Sequence, residues 1–148
     1  MFAHPTAASL SDDWSARLQA TGCRLTSPRR VIIDIMAATD RALEPQDVYD
    51  LGRRVYPRLG LVTVYRTLER LVELGLLQRV HQPSGCHRYL RAARGHEHLL
   101  LCTHCGHAEY FSGDDLTELT QAVATRTGFD IHEHWLQLLG LCRDCRAQ

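Results

Sequence analysis

GLVTVYRTLERLVELGLLQRVHQPSGCHRYLR, residues 60–91, changes its period halfway along. In its first half Val64, Leu68, Leu71 and Val72, with Leu61 at the margin, recur at helical spacing, leaving Thr63, Arg66 and Arg70 off that face. Gly75 supplies a helix stop. Beyond it, two short runs flank Pro-Ser-Gly, which predicts a β-hairpin. A helix followed directly by such a hairpin is the second half of a winged helix-turn-helix, provided that the preceding residues supply more helices.

They do. SDDWSARLQATG, residues 11–22, predicts a first helix with Ser11 as N-cap, acids in the first turn and Gly22 as stop. TSPRRVIIDIMAATD, residues 26–40, predicts a second, capped by Thr26 or Ser27, with Val31, Ile32, Ile35 and Met36 as its apolar stripe. EPQDVYDLGRRVYP, residues 44–57, predicts a third, with Pro45 at the first position and Pro57 closing it. A helical bundle with a separate hairpin satisfies this periodicity equally well. After AARG, residues 92–95, the character changes. HLLLC and HAEYF read as strands around a THCG turn, GDDLTELTQAVATRTG as a helix ending at Gly128, and FDIHEHWLQLLG as a long final strand.

The expected architecture is therefore α+β. A winged-helix domain occupies 1–91, a hinge 92–97, and a small α/β dimerisation and metal-binding domain 98–148. About fifty residues make a marginal core, so the second unit needs a staple or a partner chain.

Charge divides in the same way. All 17 basic residues are arginine, and the formal net charge is zero. Residues 1–94 hold fourteen arginines against nine acids and residues 95–148 three against eight, a surplus of five of each sign. The basic half is the one suited to a polyanion. The chain has 148 residues, 45% of them hydrophobic and 23% charged, ordinary for a soluble protein with a packed core. No apolar run approaches the roughly 20 residues of a membrane span. The N-terminus lacks a basic region followed by an apolar one, so a cytoplasmic location is expected.

In a reducing compartment the six cysteines read as ligands rather than disulfides. CTHC (Cys102, Cys105) and CRDC (Cys142, Cys145) are two CxxC pairs, each a tight turn presenting two sulfurs. Four thiolates around Zn²⁺ make a closed tetrahedral site with no position for water, hence a structural one. A redox CxxC belongs at a helix start in a βαβ unit, which is not the pattern here, and an iron site with the same thiolates is chemically possible. Cys23 and Cys86 have no partner at ligand spacing.

Histidines form a second constellation. His96 and His98, and again His132 and His134, are spaced i, i+2, which on a strand places each pair on one face. The cysteine clip ties these strands together, so the imidazoles converge on a second metal site, suited to Zn²⁺, Fe²⁺ or Mn²⁺. His104 and His107, beside the knuckle, read as solvated or supporting residues, and His4 lies in a tail. Hydrolytic chemistry is not indicated: Glu97 and Glu133 alternate with the histidines and point to the opposite face, and no HExxH or nucleophile turn is present.

The order LTSPRRVII, LVTVYRTLERLVELGLL, HEHLLLCTHCG and GFDIHEHWLQLLGLCRDC resembles the ferric uptake regulator family of metal-sensing bacterial repressors along nearly the whole chain. The resemblance implies a homodimer that binds a palindromic operator in double-stranded DNA when a regulatory metal is bound, with neither a membrane nor a small-molecule substrate. It implies that Thr63, Val64, Tyr65 and Arg66 lie on the recognition helix, with Tyr65 at base edges and Arg66 on phosphate. Arg24 would approach the minor groove and Arg29 the backbone. It implies a regulatory set of His96, His98 and His134 completed by a helix carboxylate. The matching position is Thr117, so Glu118 or Asp114 is the substitute. A second family set departs further. Glu97 and Leu99 stand where histidines are usual, Leu90 or Ala92 where the wing gives a ligand, and Ala42 where the third helix does. That set is absent here or rebuilt from Glu97, His81, Cys86 or His87. Dimer contacts are expected along the strand at 129–139 and the helix at 114–128. The rival reading is a zinc-stapled protein–protein interaction module without a DNA role.

Overall fold

The computed structural model describes residues 6–81, 85, 87–93, 95, 97–112 and 116–147, with the side chain of His81 excepted. His4, Cys86, His96 and Asp114 lie outside the described residues. Four helices come first: α1 (Ala7–Ala20), α2 (Ser27–Ala38), α3 (Pro45–Val55) and α4 (Leu61–Glu73). The strands β1 (Leu77–His81) and β2 (His87–Arg91) pair antiparallel as the wing, with Leu77 opposite Arg91 and His81 opposite His87. The C-terminal half holds β3 (His98–Cys102), β4 (Ala108–Phe111), α5 (Thr117–Thr127), β5 (Gln137–Gly140) and α6 (Arg143–Arg146). Its sheet runs β4-β3-β5, antiparallel on one side of β3 and parallel on the other. This is a winged helix followed by a small α/β unit.

Helix starts follow local chemistry, with one correction. Thr6, not Ser11, caps α1: its hydroxyl accepts from the Ser9 N–H, and the helix begins a full turn earlier. Ser11 is buried inside the helix and donates to Asp34, because Leu10, Trp14 and Leu18 must all face α2 to be covered. α2 starts after Thr26 with Pro28 in its first turn, and α3 carries a reciprocal capping box between Glu44 and Asp47. The α2 stripe is rotated one residue from expectation. Ile32, Ile33, Met36 and Ala37 are buried, while Val31 and Ile35 are half-buried and face Gly52 of α3. A helix packed on both sides buries a wider arc than a single-stripe reading anticipates.

One core joins all four helices to the wing through Leu18, Ile33, Val48, Leu68, Leu77 and Tyr89. A smaller one, of Ala42, Val80, Leu90, Leu99 and Leu101, straddles the two halves. The expected long final strand is short. Residues 128–136 are irregular, and β5 pairs only where it meets Leu99 to Cys102. The α5 helix buries no residue, and among the described residues after Gly106 none is buried. An eleven-residue helix is marginal alone in water, so its stability must come from something packed against it.

Candidate metal centre and nucleic-acid interface

The thiolate cluster is made by sheet register. Parallel pairing sets Gly140 opposite Cys102, and the Thr103 N–H donates to the Gly140 carbonyl at 2.9 Å. The chain leaving β5 therefore arrives beside the CTHC turn, where the Cys142 N–H donates to Cys102 Sγ at 3.3 Å. α6 closes one turn and returns Cys145 to the same point. All four sulfurs lie within 4.8 Å of one another, and Cys105 and Cys142 are 3.7 Å apart. Four sulfurs at about 2.3 Å from a central Zn²⁺ are about 3.8 Å from each other, so the donor set suits zinc.

The electrostatics suit a cation. Burial opposes charge on Cys102, but N–H groups of Cys105, Cys142 and His104 outweigh it and hold the thiol down at about 6. Cys145 is pushed up to about 12, first by its hydrogen bond with Cys142 and then by burial. Without a dication the thiolate is favoured at Cys102 and disfavoured at Cys145. With one, all four become ligands.

Among the described residues no other group of three or more ligating side chains lies this close. The structure does bring His98 and His134 together, with ring centroids 5.6 Å apart. His98 is buried at 4% exposure, its ring 5.4 Å from Phe111, while His134 is exposed. The Leu99 N–H donates to the Leu136 carbonyl, which sets the two segments side by side. His132 faces solvent near Asp130, so it does not join its i+2 partner. Glu118 is exposed on the first turn of α5, outside any such group, as is Thr117. A pocket of about 140 Å³ beside the histidines is lined by Gln78, Glu97, Tyr110 and Trp135 as well. Gln78 was not visible in the sequence as a site residue. It comes from the wing, and its buried Nε2 has no hydrogen-bond partner among the described residues. Tyr110, whose hydroxyl donates to the Arg91 carbonyl, also escaped the sequence reading. Only the fold brings either to the histidines.

On α4, Val64, Thr67, Leu68 and Leu71 are buried, which turns Val62, Tyr65 and Arg66 outward. Tyr65 is 48% exposed and so is not a core aromatic. Thr63 is half-buried, and its carbonyl accepts from the Thr67 hydroxyl. Arg24 is exposed, and Arg29 Nη1 donates to the Arg24 carbonyl at 2.5 Å, tying the turn before α2. Arg70 instead pairs with Glu73 and Arg30 with Asp12, both solvated pairs of small energetic weight. Glu69 receives hydrogen bonds from Tyr89 and Arg79, so α4 is pinned to both wing strands.

A helix with outward tyrosine and arginine, a wing locked to it, and a thiolate-clipped sheet behind define a metal-clipped winged-helix regulator. The ferric uptake regulator family profile matches residues 20–139, and the chain belongs to that family of metal-responsive transcription regulators. It is 36% identical to the ferric uptake regulation protein of Cupriavidus metallidurans over 134 residues, 88% of this chain and 93% of that one. It is 32% identical to the zinc uptake regulation protein of Mycobacterium tuberculosis over 130 residues, 88% of this chain and all of that one. In structure it is similar to the Helicobacter pylori ferric uptake regulator, with a TM-score of 0.72, 18% identity, and 99% and 97% of the two chains covered. It is also similar to a zinc uptake regulator complexed with zinc and DNA, with a TM-score of 0.70, 23% identity, and 97% of each chain covered. At those identities the two structures speak for the fold. Among the described residues no helix is long and apolar enough to cross a membrane.

Proposed function

We propose that this chain is a dimeric repressor of metal homeostasis genes that grips a palindromic operator when a second divalent metal is bound. The observation that carries the reading is the convergence of His98 and His134 beside Gln78 of the wing. Two imidazoles each about 2.1 Å from a shared tetrahedral ion have centroids roughly 5 Å apart, close to the 5.6 Å between these rings. His96, His98 and His134 would hold the ion, with Glu118 as the candidate carboxylate, and Fe²⁺, Zn²⁺ and Mn²⁺ all suit such a set. An ion there would supply positive charge between His98 at the start of β3 and His134 in the segment before β5. To carry the protein from 1:99 to 99:1 between loose and DNA-competent forms, binding must differ by about 5.5 kcal/mol.

Thr63, Tyr65 and Arg66 face the major groove, with Arg24 and Arg29 at the flanks. Residues 1–91 act as reader, 92–97 as hinge and 98–148 as dimeriser. The dimer reading is supported by apolar side chains left bare on the C-terminal half: Leu119 at 60% exposure, Phe129 at 74% and Trp135 at 57%. A second copy placed two-fold on that surface covers α5 and presents two recognition helices to two half-sites.

Fluorescence anisotropy with a palindromic duplex tests both parts. Metal-loaded protein binds with affinity that falls steeply as salt rises. His98→Ala combined with His134→Ala keeps zinc at the four cysteines and loses the response to added metal. An unchanged response refutes the regulatory site. Failure of loaded wild-type protein to bind any duplex favours a protein–protein module instead.

A further inference from the structure

The segment Asp40–Leu43 is extended and bonded along both edges. On one edge Leu43 exchanges two backbone hydrogen bonds with Tyr89 of the wing, at 2.9 and 2.8 Å. On the other the Ala42 N–H donates to the Gly106 carbonyl at 2.9 Å, and the Ala108 N–H donates to the Asp40 carbonyl at 3.2 Å. Alternate residues of an extended chain serve opposite edges, so this one segment stitches the wing to the turn that carries Cys102 and Cys105. Behind the stitch lies the smaller core, where Ala42, Val80 and Leu90 from the N-terminal half meet Leu99 and Leu101 from the C-terminal half. Tyr110 adds its hydrogen bond to the Arg91 carbonyl, and His107 lies between Glu109 and Asp40.

Gly106 lies at the seam, its carbonyl accepting from the Ala42 N–H. It has φ +75, and a Cβ there would stand 3.0 Å from the Ala42 carbonyl oxygen and 2.8 Å from Arg88 Nη1. The left-handed conformation strains any side chain there, and the approach requires the Ala42 carbonyl or the Arg88 guanidinium to give way.

We infer that the CTHC knuckle is a docking face for the N-terminal half as well as a metal clip, with Gly106 as the positioning residue that permits the contact. The angle between reader and dimeriser is then set at two places: the histidine pocket at one end of β3 and this seam at the other. A disturbance of the thiolates reaches α2 and α3 through residues 40–43. The consequence for operator binding rests on the function proposed above, but the seam is tested without DNA.

Amide hydrogen exchange, followed residue by residue in zinc-loaded protein, is the experiment. In Gly106→Ala the amides of Ala42 and Ala108 exchange at least about tenfold faster than in wild type, while wing amides such as Val80 keep their protection. Bound zinc, counted by elemental analysis, stays at the wild-type content. Gly22→Ala is the control, since Gly22 has φ +77 and nothing within 4 Å of an added Cβ, so it carries the same backbone strain without a neighbour. It leaves the seam amides unchanged. Ala42→Leu presses on the seam from the N-terminal half, away from the sulfurs, and carries the same expectation for the amides of residues 42 and 108. It keeps the test decisive even where a methyl at residue 106 dislodges the metal. Wild-type exchange rates at Ala108 in Ala42→Leu overturn the inference. So do equal rates in Gly22→Ala and Gly106→Ala.

Discussion

Replacing Tyr89 by Phe removes one oxygen from the joint between the wing and the recognition helix. The ring stays where it is, because it is buried in the main core and shared with α4 and β1. What is lost is the hydroxyl that donates to Glu69, a bond to a charged acceptor, worth about 1.5–3 kcal/mol in general. Glu69 is 37% exposed and keeps Arg79, so water replaces part of the loss and the expected cost is about 1.5 kcal/mol. The pH dependence is a sharper signature. Partial burial works to raise the Glu69 pKa, but the hydrogen bonds from Tyr89 and Arg79 outweigh it and leave the carboxyl below 4.5. A carboxyl lowered by folding contributes its stability above its unfolded pKa and loses it as pH falls through the folded one. The difference between wild type and Tyr89→Phe is therefore full at neutral pH and shrinks to that of a neutral hydrogen bond below the folded pKa of Glu69. Urea unfolding of both proteins between pH 7 and pH 3, with Glu69→Gln as a pH-insensitive companion, measures it. A loss that is the same at every pH refutes the reasoning, because it places the cost in packing rather than in the phenol–carboxylate bond.

Three further outcomes follow from the same geometry. Cys102→Ser, or a strong chelator, removes the staple of a half that has no other large core. The β3–β5 sheet then unfolds while the helical signal of α1 to α4 survives, as circular dichroism and zinc analysis together report; structural zinc sites are worth roughly 10 kcal/mol or more. Tyr65→Ala lowers operator affinity at least about tenfold, with a change in unfolding free energy within about 0.5 kcal/mol, since the side chain is half exposed. Leu119→Asp with Phe129→Asp places charge on the bare apolar face and shifts sedimentation from dimer to monomer, leaving zinc content unaltered.

Local chemistry wrote much of this molecule into the sequence. Helical spacing from Val64 to Leu71, the prolines at the starts of α2 and α3, Gly128 at φ 74 closing α5, and two CxxC pairs are all short-range signals, and each led to the element or cysteine cluster now seen. The tertiary structure alone decided where non-neighbouring parts meet. It moved the α1 cap to Thr6, because burial of Leu10 and Trp14 against α2 outweighs one capping bond. It shortened the final strand to four residues, because strand pairing persists only where β3 offers a partner. It brought Gln78 to the histidines, separated His132 from His134, and made Gly106 a point of contact with Ala42. Such contacts join residues far apart in the chain, and no period or spacing in the sequence encodes the distance between them.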